Sequence, residues 1–195
     1  IYLYNNYMEK FIKQIWLSFL IIIVILYLMV PCDSKILGKP LWPCPYDKNR
    51  LLHLYIPESD GTYTSQSLFD IYSFTHISHG MIIFYILYYL HGYSKNKNMI
   101  YYSLIYAFIF EIGWEIIENT PFIIKKYRDN SAESRNYKGD SIINSIGDVM
   151  SMFIGFLIAW KYTKESIYLL IINELLLYYF INDNLLKNIN EFFIK

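Results

Sequence analysis

The residues most able to do chemistry in this sequence lie at the ends of two apolar segments, on either side of a charged stretch. Glu111, Glu115 and Glu118 are four and three residues apart, so on a helix they share one face within roughly 60° of arc. A second polar face follows the charged stretch at intervals of four residues and consists of Asp140, Asn144 and Asp148. Ionisable groups inside apolar helices cost roughly 2.5–3.5 kcal/mol each on the insertion scale. A chain that carries this many is expected to use them.

Carboxylates at this spacing suit two kinds of chemistry, the binding of hard divalent cations and general acid–base catalysis. We predict Glu115, Glu118, Asp140 and Asp148 as catalytic candidates, and Glu111, Glu115 and Asp148 as ligands of a divalent metal ion. Structural roles remain open for three of them. Glu115 and Glu118 could pair with loop lysines in interfacial water, and Asp140 could cap the following helix. Glu111 and Asp148 lie about two turns inside their helices, where these explanations are weaker.

Two histidines stand at the entry of another apolar segment. His76 and His79 are three residues apart, a spacing that suits metal ligation or acid–base work, although a single interfacial histidine more often has a structural role. We predict His79 as catalytic and His76 as binding. Binding is also predicted for Asn119, Arg128, Asn144 and Asp183. Arg128 is expected to hold an anionic group, with a solvated loop charge as the alternative.

The elements that must position these residues are apolar helices. The 195 residues are 55% hydrophobic and 17% charged, which is too apolar for an ordinary soluble domain and points to the lipid bilayer as partner. The formal net charge of zero gives no basic surface for nucleic acid. We predict one all-α membrane domain over residues 1–195, a helix bundle with about five transmembrane helices. The predicted spans are 15–30, 75–91, 99–119, 140–162 and 166–181, with a polar loop at 31–74 and an amphipathic tail at 182–195.

Counting the crossings predicts that the polar residues share one membrane face. With five spans, the end of the first, third and fifth and the start of the second and fourth lie on the same side. The histidines, the acidic ends and the long loop therefore meet at one leaflet. We expect them to converge in a single water-accessible pocket. Glu174, in the middle of the fifth span, is expected to face the interior of the bundle.

The long loop contains both cysteines, Cys32 and Cys44. A disulfide in an oxidising compartment and two unpaired thiols are both consistent with two cysteines, which offer no spacing pattern to test. Four prolines, at 40, 43, 45 and 57, exclude a continuous helix there. The stretch 120–139, which begins just before Pro121, is predicted as a charged loop.

Four segments resemble a bacterial family of multi-pass membrane proteins, domain-of-unknown-function family 2585, also called uncharacterised protein family 0314. The segments are Ser73–Gly80 (SFTHISHG), Trp114–Pro121 (WEIIENTP) with Tyr127-Arg128, Tyr137–Ser141 (YKGDS) with Asn144-Ser145 and Asp148, and Asp183–Leu185 (DNL) with Asn188. The chain departs from the family at Asn182, where the family usually has arginine. The resemblance implies a bacterial inner-membrane location and supports the four segments as one unit. The family has no established activity, so the resemblance supplies no reaction.

Three functions remain open from the sequence. The first is a membrane-embedded, metal-dependent hydrolase or transferase acting on a lipid or lipid-linked headgroup. The second is a small proton- or ion-coupled transporter that uses Glu111 and Glu174. The third is a structural partner subunit of a membrane complex, whose acids serve helix packing or a cationic partner.

Overall fold

The computed structural model describes residues 2–29, 35–36, 38–41, 54–59, 63–92, 97–130 and 134–193, and this part of the chain is mostly helical. It contains seven helices: α1 Tyr2–Met29, α2 Ser73–Leu90, α3 Lys97–Glu118, α4 Pro121–Asn130, α5 Ile142–Lys161, α6 Glu165–Ile181 and α7 Leu185–Phe193. Four short strands lie in the region predicted as a polar loop: β1 Lys35–Ile36, β2 Lys39–Pro40, β3 Tyr55–Ile56 and β4 Phe69–Asp70. β1 pairs antiparallel with β2, and β3 pairs parallel with β4. Cys32 and Cys44 lie outside the described residues.

α5 is the central helix, and α2 packs closely along it. Small residues make this approach feasible. A Cβ on Gly155 of α5 would overlap the carbonyl oxygen of Ile77, and a Cβ on Gly80 of α2 would overlap that of Met152. Close backbone contact through glycine is typical of helix packing in membranes. The register of α2 against α5 therefore depends on these two glycines.

An apolar core fills the middle of the bundle. Its buried residues come from three helices and include Met81 and Phe84 of α2, Leu104 of α3, and Phe153 and Phe156 of α5. The rings of Phe84 and Phe156 meet edge to face, with centroids 5.4 Å apart. This core fixes α2, α3 and α5 relative to one another. It thereby positions the polar ends of the same helices.

The stretch 120–139, predicted as a loop, contains helix α4. The prediction treated Pro121 as a residue that stops a helix. Proline is in fact favourable at the first position of a helix, and Pro121 begins α4. Thr120 precedes it as the cap, and its Oγ1 accepts a hydrogen bond from the Ile123 N–H at 3.5 Å. Asp140 does not cap α5 as considered above. The cap is Ser141, whose side chain accepts the Asn144 N–H.

Two helices in the described part are long and apolar enough to cross a membrane, as judged by length and composition alone. They are Met99–Glu118 and Ile142–Lys161. The five transmembrane helices predicted above are not shown by this criterion. Large apolar side chains are exposed on several other helices, among them Leu20 of α1, Ile86 of α2, and Leu175 and Phe180 of α6. Exposed apolar surface of this extent needs an apolar environment or a partner.

Candidate functional site

His76 is held by a buried carboxylate from the neighbouring helix. Its Nδ1 lies 2.6 Å from Oε1 of Glu111, which is fully buried on α3. His79 Nδ1 lies 3.3 Å from the same oxygen. Because a carboxylate only accepts hydrogen bonds, Nδ1 of His76 is the donor, and Nε2 is left as the nitrogen that can bind something else. This carboxylate–histidine arrangement is the one that orients imidazole ligands of metals.

Asp148 lies on the other side of the His76 ring. Its Oδ2 is 3.9 Å from His76 Nε2, and its Oδ1 accepts a hydrogen bond from Ser73 Oγ at 3.0 Å. Asp148 is only 4% exposed. Among the described residues no donor reaches Oδ2, so Ser73 fixes the carboxylate while one oxygen remains available beside the imidazole.

Glu115 is the buried acid without partners. It is 6% exposed, and neither of its carboxylate oxygens has a hydrogen bond within the part of the chain that the structure describes. Its Oε1 lies 3.6 Å from His76 Nδ1. A buried polar group left without a partner costs about 1–3 kcal/mol, and more when it is charged. The Glu115 carboxyl group therefore requires either a bound cation or a proton.

These side chains form two sets whose ligand atoms lie within 4.8 Å of one another. One set is His76, His79 and Glu111, and the other is His76, Glu115 and Asp148. In the first set, Oε1 of Glu111 is already engaged by both imidazoles, and only its Oε2 is without a hydrogen-bond partner among the described residues. In the second, His76 and Asp148 retain free acceptor atoms and Glu115 retains two. The second set is therefore the better candidate metal centre.

A cavity of about 60 Å³ adjoins this centre. A water molecule needs roughly 10–15 Å³ of such volume, so the cavity has room for several waters or a small ligand group. Its walls are polar and are formed by Ser65, Asp70, Tyr72, Thr75, His76, Glu118, Tyr127, Ser134, Tyr137, Asp140, Asn144, Asp148, Asp183 and Asn188. Five of these side chains are carboxylates, and within the described ranges no lysine or arginine is among them.

Asp140 is held in the cavity wall by neutral donors. Its Oδ2 accepts hydrogen bonds from Asn119 Nδ2 and from the Tyr137 hydroxyl, both at 2.8 Å. Lys39 Nζ donates to Asn119 Oδ1 at 2.7 Å, so this cation reaches Asp140 through the amide. Burial, reinforced by Asp140, raises the pKa of the Tyr137 phenol well above its ordinary value, and burial lowers the pKa of Lys39. Tyr137 therefore remains a protonated donor.

Asp70 and Asn144 connect the cavity to the backbone. Asp70 accepts the N–H groups of Ser65 at 2.7 Å and Tyr72 at 2.8 Å, which stabilises the turn that leads into α2. Asn144 Nδ2 donates to the Ser67 carbonyl at 2.9 Å. These bonds attach the segment before α2 to the start of α5. His76 lies about one turn into α2, and Asp148 lies one turn beyond Asn144 on α5. The bonds therefore also fix the distance between the His76 and Asp148 side chains.

Comparison with known proteins places this geometry in a family. The sequence profile of a family described as "Protein of unknown function (DUF2585)" matches residues 37–193. The chain belongs to this family. A DUF2585 match of this length covers every residue of the candidate metal centre and every residue that lines the cavity. It bears out the resemblance drawn from the four sequence segments.

Individual relatives agree with the assignment to DUF2585. A UPF0314 protein of Brucella anthropi is 39% identical over 129 residues, which is 66% of this chain and 63% of the relative. A UPF0314 protein of Rhizobium meliloti is 35% identical over 80% of this chain and 75% of the relative. One from Agrobacterium fabrum is 34% identical over 86% and 76% of the two chains. The chain thus spans less than two thirds of the Brucella relative. No solved structure matches.

The structure of this DUF2585 chain brings together most of the residues predicted from sequence. His76, Glu118, Asp140, Asn144, Asp148 and Asp183 line the cavity, and Glu115 lies beside His76. Other predicted residues stand behind this group. Glu111 and His79 contact His76 and each other, and Asn119 supports Asp140.

Arg128 is the predicted binding residue that stands apart. It is exposed on α4 and is not part of the cavity wall. Its predicted hold on an anionic group therefore has no structural support in this conformation. A helical α4 accounts for the difference. Tyr127, one residue earlier, occupies the cavity side of that helix and leaves Arg128 on the solvent side.

Sequence reasoning missed several residues of the site, among them Asp70, Ser73, Tyr127, Tyr137 and Asn188. The sequence pattern could have indicated two of them, Asp70 and Ser73. An aspartate three residues before Ser73 at the start of an apolar segment is typical of a helix entry, where its carboxylate accepts free N–H groups. The two tyrosines could not be distinguished from interfacial aromatic residues in so tyrosine-rich a chain.

Proposed function

We propose that this chain is a membrane-embedded, metal-dependent hydrolase or transferase that acts on a lipid or lipid-linked headgroup. The observation that carries the proposal is the set of buried, unused acceptor atoms around His76. These are both carboxylate oxygens of Glu115, Oδ2 of Asp148 and the imidazole Nε2. Three such ligands with room beside them are the usual composition of a catalytic metal centre.

Each residue near the centre has a chemical task in this proposal. Glu111 orients His76, and Ser73 orients Asp148. A divalent ion held by His76, Glu115 and Asp148 would supply an activated water or polarise an oxygen of the substrate. Asp140 and Glu118 lie in the cavity wall, where a carboxyl group could accept or return a proton. His79, partly buried against Glu111, would help to position the Glu111 carboxylate that orients His76.

A membrane location and a lipid substrate are supported by the surface around the cavity. α4 and α7, which contribute Tyr127 and Asn188 to the cavity wall, pack on one another. Both are amphipathic, and their outer sides expose Phe122 and Leu186. Helices of this kind lie in the interfacial region of a bilayer. A headgroup there would be adjacent to the cavity, and the family's bacteria would carry it in the inner membrane.

The transporter hypothesis receives less support. It relied on Glu174 as an ionisable group at depth in the bundle. Oε2 of Glu174 accepts the Leu185 N–H at 3.1 Å, at the first residue of α7. This contact gives one oxygen of Glu174 a structural task, the capping of α7, while its Oε1 is buried without a hydrogen-bond partner among the described residues. The partner-subunit hypothesis predicts a stoichiometric companion on purification, which the experiment below would also reveal.

Metal analysis of detergent-purified protein tests the proposal. Wild-type protein should retain about one divalent ion per chain after extensive dialysis, and Glu115→Gln should retain much less. Glu165→Gln, which alters an exposed acid on α6, is the matched control and should behave as wild type. Equal metal content in wild type and Glu115→Gln would refute the centre.

Lipid analysis of cells tests the reaction. A strain lacking the gene should accumulate one headgroup species, and the wild-type or Glu165→Gln gene should reverse this while Glu115→Gln should not. Identical lipid extracts from all strains would contradict the enzymatic proposal.

A further inference from the structure

The cavity next to the candidate metal centre has a large charge imbalance. Five carboxyl groups line it, and Lys39 reaches Asp140 only through Asn119. Crowded carboxylates in a partly buried site repel one another when charged, so they favour protons or cations. An anionic headgroup alone would be disfavoured. The cavity is built for positive charge.

The carboxylates divide into two groups. Asp148 belongs to the set around His76, whose ligand atoms are close enough to share one ion. Glu118, Asp140 and Asp183 belong to no such set among the described residues. The ligand atoms of these three acids therefore do not all lie within 4.8 Å of one another, which is too wide for all three to bind one small metal ion at distances of about 2.0–2.6 Å. A larger cation with a diffuse charge fits the spacing better.

Two aromatic rings stand beside the second group of acids. Tyr127 and Tyr137 both line the cavity, with ring centroids 5.8 Å apart and planes inclined by 71°. The faces of such rings attract organic ammonium groups, and paired rings with nearby carboxylates are the usual setting for them. Burial raises the pKa of both phenols, so the rings stay neutral.

Asp140 supplies an unused acceptor at this place. The residue is 7% exposed, and its Oδ2 already accepts from Asn119 and Tyr137. Its Oδ1 receives no hydrogen bond from the described part of the chain. An N–H group, or the polarised methyl groups of a quaternary ammonium, would complete its coordination.

We propose that Glu118, Tyr127, Tyr137, Asp140 and Asp183 form an ammonium subsite for the amine-bearing part of the substrate headgroup. The inference rests on the proposed function, because it places the subsite beside the metal ligands of the same cavity. The substrate class is then a zwitterionic headgroup. Its anionic oxygen would face the metal centre and its ammonium group would lie beside the two tyrosine rings.

Binding of choline tests the subsite directly. Calorimetric titration of the detergent-purified protein with choline is compared with titration by 3,3-dimethylbutan-1-ol, its uncharged isostere. Wild-type protein should bind choline at least about tenfold more tightly than the alcohol, and Asp140→Asn should remove that preference. Asp129→Asn, an exposed acid on α4, is the matched control and should retain it.

Two further variants make the test decisive. Tyr127→Leu removes one ring without touching the hydrogen bonds of Asp140, so it should weaken choline binding even if Asp140→Asn does not fold. Glu115→Gln should lose metal and keep choline binding, which separates a failure of the metal centre from a failure of the subsite. Equal binding of choline and the alcohol would overturn the inference. A second equivalent of Mn²⁺ that disappears in Asp140→Asn would also overturn it, since the acids would then hold a metal.

Discussion

The substitution Glu115→Gln should have opposite effects on stability with and without metal. Glu115 is 6% exposed and lacks hydrogen-bond partners within the described ranges. Without metal, the buried carboxyl group has no hydrogen bond among the described residues and only His76 Nδ1 near it, 3.6 Å from its Oε1. The neutral glutamine should therefore leave the protein as stable or stabilise it by about 1–3 kcal/mol. With metal, the wild-type protein gains the binding free energy and the variant does not.

The size of the difference follows from linkage. A metal at 100 times its dissociation constant stabilises the protein that binds it by about 2.7 kcal/mol. For a chain of this length, 1 kcal/mol shifts the melting temperature by about 2–4 °C. Saturating metal should therefore raise the melting temperature of wild-type protein by roughly 5–11 °C relative to chelator.

Circular dichroism melts in detergent, recorded in chelator and in Mn²⁺ or Zn²⁺, measure this difference. Glu165→Gln should shift as wild type does. If metal stabilises Glu115→Gln as much as wild type, or if the variant is strongly destabilised in chelator, Glu115 is a packing residue and the reasoning is refuted.

Three further predictions concern the scaffold and the Asp140 network. Gly155→Val should destabilise the bundle by about 1–3 kcal/mol because its side chain collides with the backbone of α2, whereas Gly113→Ala, where an added Cβ meets nothing within 4 Å, should be neutral or stabilising in the same thermal melts. Asn119→Ala should cost about 1–3 kcal/mol in denaturant unfolding, because Asp140 loses two hydrogen bonds; an unchanged midpoint would contradict the network. The raised pKa of Tyr137 means that the folded state holds its proton longer than the unfolded state, so stability should fall as pH rises above about 10. Tyr137→Phe should flatten that fall while costing about 1 kcal/mol at neutral pH, and an equally steep fall would exclude Tyr137 as its source.

The spacing of residues predicted which side chains share a face but not what each one does there. Glu111 and Glu115 lie one turn apart on α3, and sequence treats them alike. In the structure two imidazoles contact Oε1 of Glu111, whereas neither carboxylate oxygen of Glu115 has a hydrogen bond from the residues that the structure describes. The difference arises from α2, whose rotation about its axis is set by Gly80 and the contact with α5. Such tertiary packing has no local sequence pattern.

Helical periodicity located the apolar helices well and failed where polarity was high. α4 was predicted as loop because its charges obscured a short amphipathic pattern, and Pro121 was taken as a stop although it begins the helix. Tyr127 was lost to the site as a result, and Arg128 was assigned to it. Because α4 was predicted as loop, the predicted site contained the cation of Arg128 where the structure has the aromatic ring of Tyr127. A site with arginine would bind an anionic group, whereas one with tyrosine and acids would bind a cationic group.

The acids of the site differ in how much positive charge they still require. Asp70 is saturated by backbone N–H groups, whereas Glu111 has its Oε1 engaged by the two histidines and its Oε2 without a hydrogen-bond partner among the described residues. Glu115 and Asp148 share a place near His76 where one divalent ion balances two negative charges.

The remaining acids, Glu118, Asp140 and Asp183, face a cavity without a basic side chain among the residues described. Crowded carboxylates repel one another when charged, so this part of the cavity favours protons or cations that arrive from outside. A metal ion held at His76 is not shared by these three acids. A substrate that carries its own ammonium group compensates them only while it is bound, and its release restores the repulsion. The same imbalance would then favour entry of a zwitterionic headgroup, and loss of the contact with the metal centre would weaken the binding of the fragment that leaves.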